Sequence, residues 1–108
     1  MSEPNIPEAT LEQINDLERM IHEPARMVIV ASLSLVESAS FLYLLQQTGL
    51  TKGNLSSHLS KLEDVGYISI DKEFVGKKPQ TVCQLTDKGR EAFRNYLQNV
   101  RQLVESLS

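Results

Sequence analysis

The segment Ser40–Val65, SFLYLLQQTGLTKGNLSSHLSKLEDV, constrains the fold more than any other part of this chain. Its spacing predicts two short helices joined by a tight turn. Ser40 can cap the first helix, whose apolar face comes from Phe41, Leu42, Leu44 and Leu45. Gly49, in Thr48-Gly49-Leu50, can adopt the left-handed conformation that ends a helix without a Cβ penalty. Thr51 can cap the second helix by accepting a backbone N–H bond. At 100° per residue, Leu55, Leu59 and Leu62 share one stripe of that second helix. Gly53, Ser57 and Ser60 fall opposite, flanked by Asn54, Ser56 and Lys61.

The outward face of this helix is therefore small and hydrogen-bonding, where an ordinary solvated face is richer in Glu and Lys. Small side chains let another surface approach closely, and hydroxyl and amide groups can bond phosphates or base edges. That composition suits a helix presented to DNA. It also suits a polar surface helix in an αα-hairpin, and the stretch alone leaves both open.

Charge distribution bears on the choice. The chain has 108 residues and a net charge of −3, which argues mildly against nucleic acid. The charge is uneven, however. Residues 1–50 carry two arginines against seven acids, residues 51–90 carry seven Lys or Arg against five acids, and residues 91–108 balance. The positive portion coincides with the helix pair, and a local basic surface is what a duplex requires.

The remaining elements follow in order. Asn5-Ile6-Pro7-Glu8 reads as a helix start, and Leu11, Ile14, Leu17 and Ile21 continue an amphipathic helix over 5–22. His22 then falls at a helix end, where it would complement the helix dipole. Pro24 opens the next helix, and Met27–Ala31 is apolar on all sides, as in a central buried helix. Residues 32–39 read as a connection, with a short strand just before Ser40. Gly66 ends the second helix of the pair. Tyr67–Phe74 and Gln80–Leu85 read as two strands of a hairpin around the turn Val75-Gly76-Lys77-Lys78-Pro79. Thr86 caps a last helix over 87–107. There Phe93, Leu97, Val100, Val104 and Leu107 repeat at four and three, widened by Tyr96 and Leu103. This stripe suits either a partner helix or the chain's own core; a core that is already complete without it favours a dimer interface.

One domain spanning 1–108 is the expected organisation. No run approaches a membrane span. Cys83 is the only cysteine, so no internal disulfide is possible, which fits a cytoplasmic setting. It reads as a small core residue rather than a redox sensor. His58 lies at the edge of the apolar stripe and reads as a partly buried structural residue. One Cys and two separated His make no metal cluster, and neither a nucleophile–base arrangement nor a phosphate-cradling glycine loop is visible. No enzyme, cofactor or metal is expected.

The order helix, helix, short strand, helix-turn-helix, hairpin, long helix is winged-helix topology: mainly α with a small β-hairpin wing, an added N-terminal helix and a long C-terminal helix. Three stretches resemble the compact winged-helix transcriptional regulators related to the MarR-type and ArsR-type families. They are GLTKGNLSSHLSKLEDVGYI over 49–68, FVGKKPQT over 74–81 and LTDKGREAF over 85–93. The resemblance covers most of residues 20–97. It implies a sequence-specific DNA-binding transcriptional regulator, a repressor more often than an activator, acting as a homodimer through helices 5–22 and 87–107.

In that reading the recognition helix, 51–65, enters the major groove with its N-terminal half leading. Thr51 and Lys52 hold a phosphate at the helix N-terminus. Asn54, Ser56, Ser57, Ser60 and Lys61 face bases or the adjacent backbone. The wing, 74–80, grips the flanking backbone through Lys77 and Lys78. Family wings often carry arginine, and lysines act more as point charges on phosphate. Expected partners are double-stranded DNA, a second copy of the chain and an unidentified small-molecule effector between dimer helices, with no membrane. The competing reading is a winged-helix protein-interaction module without DNA contact, which the acidic net charge favours.

Overall fold

A computed structural model describes residues 17–108. The first helix, α1 (Pro24–Ser34), is capped by Glu23, whose carboxylate accepts the Arg26 backbone N–H at 2.8 Å. Proline at the first helical position loses no bond, because that N–H has no intrahelical partner. Ile29, Val30 and Leu33 are buried, while Val28 on the far side is exposed. The helix continues through Ser34, further than the connection expected from residue 32; the Ser34 hydroxyl donates to the Ala31 carbonyl at 2.6 Å.

Strand β1 is only Ala39–Ser40 and leads directly into α2 (Phe41–Thr48). Ser40 serves both elements: it pairs with Val82, and its hydroxyl accepts the Tyr43 N–H at 3.1 Å. Gly49 ends α2 with φ of 68°, the left-handed geometry the turn required, and donates to the Leu45 carbonyl. Thr51 then caps α3 (Lys52–Asp64) by accepting the Asn54 N–H at 3.2 Å. Leu55, Leu59 and Leu62 all point into the core.

Strands β2 (Ile68–Val75) and β3 (Lys78–Leu85) form an antiparallel hairpin, and the sheet order is β1-β3-β2. The strands reach further than expected and leave a two-residue turn, Gly76-Lys77, between the Val75–Lys78 rung. Gly76 takes φ of 67°, which suits a turn whose first central residue must be left-handed. Pro79 is tolerated because its rung, with Phe74, lies next to the hydrogen-bonded rung that closes the turn, so its missing N–H breaks no bond to β2. Nor does β1 extend far enough to need it, since β1 pairs only at Cys83 and Val82.

Helix α4 (Asp87–Leu107) is capped by Thr86, whose hydroxyl accepts the Gly89 N–H at 3.0 Å and donates to the Gly66 carbonyl at 2.6 Å. Here α4 touches the sheet so closely that a Cβ at Gly89 would overlap the Tyr67 carbonyl oxygen. The apolar stripe of α4 is divided. Tyr96 is buried, and Phe93, Val100 and Leu103 pack against the core, whereas Leu97, Val104 and Leu107 stand exposed.

Two expectations at the N-terminus change. Residues 5–16 of the expected first helix lie outside the described residues. Its last part, 17–22, forms turns rather than helix: Ile21 and His22 both donate to the Glu18 carbonyl, at 3.1 and 2.7 Å. His22 therefore ends no helix and directly precedes Glu23, the cap of α1. Its Nδ1 lies 2.7 Å from the Tyr96 hydroxyl, joining this segment to α4. Leu17 and Ile21 nevertheless reach the core.

Candidate nucleic-acid interface

Helices α2 and α3 meet at Gly49 as a helix-turn-helix, and α3 lies on the molecular surface with its leucines inward. Thr51, Lys52, Asn54, Ser56, Ser57, Ser60 and Lys61 are all exposed, as are Lys77 and Lys78 at the wing tip. The first ten residues of α3, KGNLSSHLSK, contain no acid; Glu63 and Asp64 come only at its end. The exposed N–H groups of the first turn and the adjacent Lys52 thus offer an anion a positive site with no competing carboxylate. Gly53 has open space where a side chain would project.

The hairpin stands beside this helix. Residues directly opposite share a face, and faces alternate along each strand. Ile68, Ile70, Lys72 and Phe74 therefore share one side with Leu85, Cys83, Thr81 and Pro79. That side looks toward α3: Ile70 and Thr81 border a shallow cleft of about 190 Å³ with Phe41, Ser56, Leu59 and Ser60. The opposite side carries Asp71, Glu73, Val75 and Lys78. Lys78 thus shares its face with two acids. Lys72, absent from the expected set, lies on the acid-free face toward α3. Period-two counting from buried Ile68 and half-buried Ile70 would have placed it there.

The cations of residues 51–90 divide into two groups. Lys88 donates to the Val65 carbonyl at 2.8 Å and lies 5.7 Å from the centre of the Tyr67 ring. Arg90 donates to the carbonyls of Ser34 and Val36. These two hold the fold. Lys52, Lys61, Lys72, Lys77 and Lys78 are exposed, and among the described residues none of them is within ion-pair distance of a carboxylate.

A small polar cluster fixes α3 from behind. His58 Nδ1 is 3.2 Å from an Arg26 guanidinium nitrogen and 3.7 Å from the Glu23 carboxylate. Arg26 Nε also donates to the Met20 carbonyl at 2.6 Å. His58 is therefore turned toward α1 and away from the outward face. Desolvation pushes the Glu23 carboxyl up, but the backbone N–H groups of Arg26 and Ala25, with the charges of His58 and Arg26, outweigh it and hold the group below its ordinary range. Behind the hairpin, burial and then the Glu18 carboxylate that accepts the Tyr67 hydroxyl at 2.8 Å push that phenol up to about 12. Burial, with a smaller contribution from Glu63, also pushes the Cys83 thiol up to about 11, so it stays a protonated core group.

The family model of the winged-helix DNA-binding domain matches residues 25–104. The chain belongs to the winged-helix DNA-binding domain family. Within this family, α2–α3 is the helix-turn-helix and β2–β3 the wing. An uncharacterised protein of Methanocaldococcus jannaschii is 35% identical over 89 residues, which is 82% of this chain and 97% of that one. A transcriptional regulator homologue from Pyrococcus horikoshii OT3 is 28% identical with a TM-score of 0.83, covering 93% of this chain and 98% of its own. A MarR-family regulator from Enterococcus faecalis V583 shares the fold at 18% identity and a TM-score of 0.71, over 99% of this chain and 94% of its own. Among the described residues no helix is long and apolar enough to cross a membrane.

Proposed function

We propose that this protein is a sequence-specific transcriptional regulator that binds double-stranded DNA as a homodimer and acts as a repressor. The observation that carries this reading is the outward face of α3. It is small, hydroxyl- and amide-bearing and acid-free over its first ten residues, and a cationic hairpin stands beside it. Lys52 and the α3 N-terminus would seat a phosphate. Asn54, Ser57 and Lys61 would meet base edges, while Ser56 and Ser60, bordering the cleft, would bond the backbone nearest the wing. Lys77 and Lys78 would hold the flanking strand.

Five lysines without an ion-pair partner among the described residues are few for binding at physiological salt, because affinity falls steeply as counterions return to the phosphates. Two copies double that number. The exposed Leu97, Val104 and Leu107 of α4 supply the apolar surface through which a second copy would associate. A twofold pair would set its α3 helices roughly 34 Å apart, one turn of duplex.

The test is a titration of duplex DNA from the chain's own upstream region across salt concentration. Replacing Lys77 and Lys78 together with alanine should flatten the log–log salt slope by about one to two units. An unchanged slope removes the wing lysines from the interface. Salt-insensitive or undetectable binding by the wild type favours a protein-interaction module instead.

A further inference from the structure

Helix α3 is attached to the domain in two ways. Leu55, Leu59 and Leu62 bury it, but contact between hydrocarbons has no direction and leaves the rotation of a helix to packing alone. The second attachment is polar and directional. His58, at the middle of α3, places Nδ1 3.2 Å from an Arg26 guanidinium nitrogen. A guanidinium can only donate, so His58 accepts. Arg26 Nε donates in turn to the Met20 carbonyl at 2.6 Å. The Met20 N–H donates to Glu18 Oε1 at 2.9 Å, and the Tyr67 hydroxyl donates to Glu18 Oε2 at 2.8 Å. Tyr67 leads directly into β2. A continuous run of hydrogen bonds thus joins the middle of the candidate recognition helix to the base of the wing. Its members are buried or half-buried, with the Arg26 and His58 side chains 13% and 20% exposed, so water competes poorly for these bonds.

Resting on the duplex-binding reading above, we propose that His58, Arg26, Glu18 and Tyr67 are positioning residues for sequence discrimination. They touch no DNA. As a strap they fix the rotation of α3 about its axis and its angle to the wing. Asn54 and Lys61 lie four before and three after His58, on the same flank of the helix, so the strap is attached beside the side chains that would meet base edges. A leucine at position 58 would bury the edge of the apolar stripe equally well; an imidazole bonded to α1 adds direction. Hydrogen bonds to base edges weaken steeply with angle, whereas phosphate contacts carry no sequence information. The strap therefore bears on the choice between sequences more than on overall grip. It can bias the orientation of α3 by no more than its own free energy.

The test compares two fluorescein-labelled duplexes of about 30 base pairs, room for two half-sites one helical turn apart. One is enriched from a random pool on wild-type protein, and the other is its shuffled sequence. His58→Leu and Tyr67→Phe cut opposite ends of the strap, and the phenylalanine keeps the ring beneath Lys88. Each should lower the ratio of the two affinities roughly tenfold, the worth of a hydrogen bond to a charged group. Affinity for the shuffled duplex and the salt slope should not change, because no exposed cation is removed. His58→Asn, whose carboxamide oxygen can accept near the place of Nδ1, should keep the ratio within about threefold of wild type. The bonds act in series, so the double variant His58→Leu/Tyr67→Phe should lose no more than the larger single loss. The urea midpoint of His58→Leu should be no lower than that of His58→Asn, which separates lost discrimination from lost folding.

A wild-type ratio in His58→Leu, or losses that multiply in the double variant, overturns the strap. So does an equal loss in His58→Asn and His58→Leu. Weakened binding to both duplexes alike would mean that these residues serve only the fold, and the proposal falls. If wild-type protein enriches a duplex and the variants keep its ratio, the strap alone falls and duplex binding stands. If wild-type protein enriches no duplex, both fall.

Discussion

Helices α3 and α4 are both amphipathic, and they dispose of their apolar residues in opposite ways. In α3 the leucines at 55, 59 and 62 are all buried, and nothing apolar is left over on the outside. In α4 the apolar stripe is wider than the core it meets. Tyr96 and Phe93 are taken inward, while Leu97, Val104 and Leu107 remain 50%, 59% and 60% exposed. The outer face of α3 thus suits a wet, hydrogen-bonding partner, and that of α4 a dry one. A helix whose apolar residues are all satisfied by its own domain is free to meet a polyanion; one with a surplus calls for another apolar surface.

The largest effect should come from putting charge on the α4 surplus. Leu97→Glu with Val104→Glu should raise the dissociation constant of the proposed dimer by at least a thousandfold, about 4 kcal/mol, since desolvating unpaired carboxylates is costly. Sedimentation over a concentration series measures it. Unchanged association would mean that α4 does not carry the interface.

Ser57→Glu puts one negative charge on the smallest part of the α3 face. Duplex affinity should fall about a hundredfold, ~3 kcal/mol, from like-charge opposition, with the circular dichroism spectrum unchanged. Retained binding would mean that the outward face of α3 does not meet the phosphates.

Gly89→Ala probes where α4 is anchored rather than where it is free. The added methyl would meet the Tyr67 carbonyl oxygen and Leu85, and backbone cannot move aside cheaply. A loss of about 2 kcal/mol in urea unfolding is expected. Gly53→Ala on α3, with open space around it, serves as the control and should instead gain about 0.5 kcal/mol.

The smallest effect is titration of Glu23, which caps α1 and reaches His58 on α3. Its folded carboxyl ionises below the ordinary 4.5 of the unfolded chain. The folded state therefore binds fewer protons between the two values. The stabilisation is complete above pH 4.5 and disappears as pH falls through the lowered value. About 1 kcal/mol, the usual worth of a helix cap, should be lost. Glu23→Gln should flatten that part of the stability–pH curve; an identical curve would show that the cap does not titrate there.

Local chemistry made much of the fold legible in the residues themselves. Ser40, Thr51 and Thr86 cap helices because a hydroxyl two or three residues ahead of orphan N–H groups can act without knowledge of the rest of the chain. Gly49 takes positive φ for an equally local reason. The leucine stripe of α3 fixed which side would be outward, and the exposed serines follow from it. Where the signal was only periodicity, it misled: Leu17 and Ile21 have helical spacing but reach the core from turns.

What tertiary structure alone decided depends on residues far apart in the chain. His22 meets Tyr96, Arg26 meets His58, and Gly89 meets the Tyr67 carbonyl, and no pattern within one element encodes those pairings. The same holds for which face of the hairpin turns toward α3. Strand alternation groups Lys72 with Phe74 and separates both from Asp71 and Glu73, but packing against Ser56 and Ser60 selects the group that stands on the α3 side. Caps and turns arise from bonds closed within a few residues; the facing of one element toward another arises from the packing of all of them, and exists only once the chain has folded.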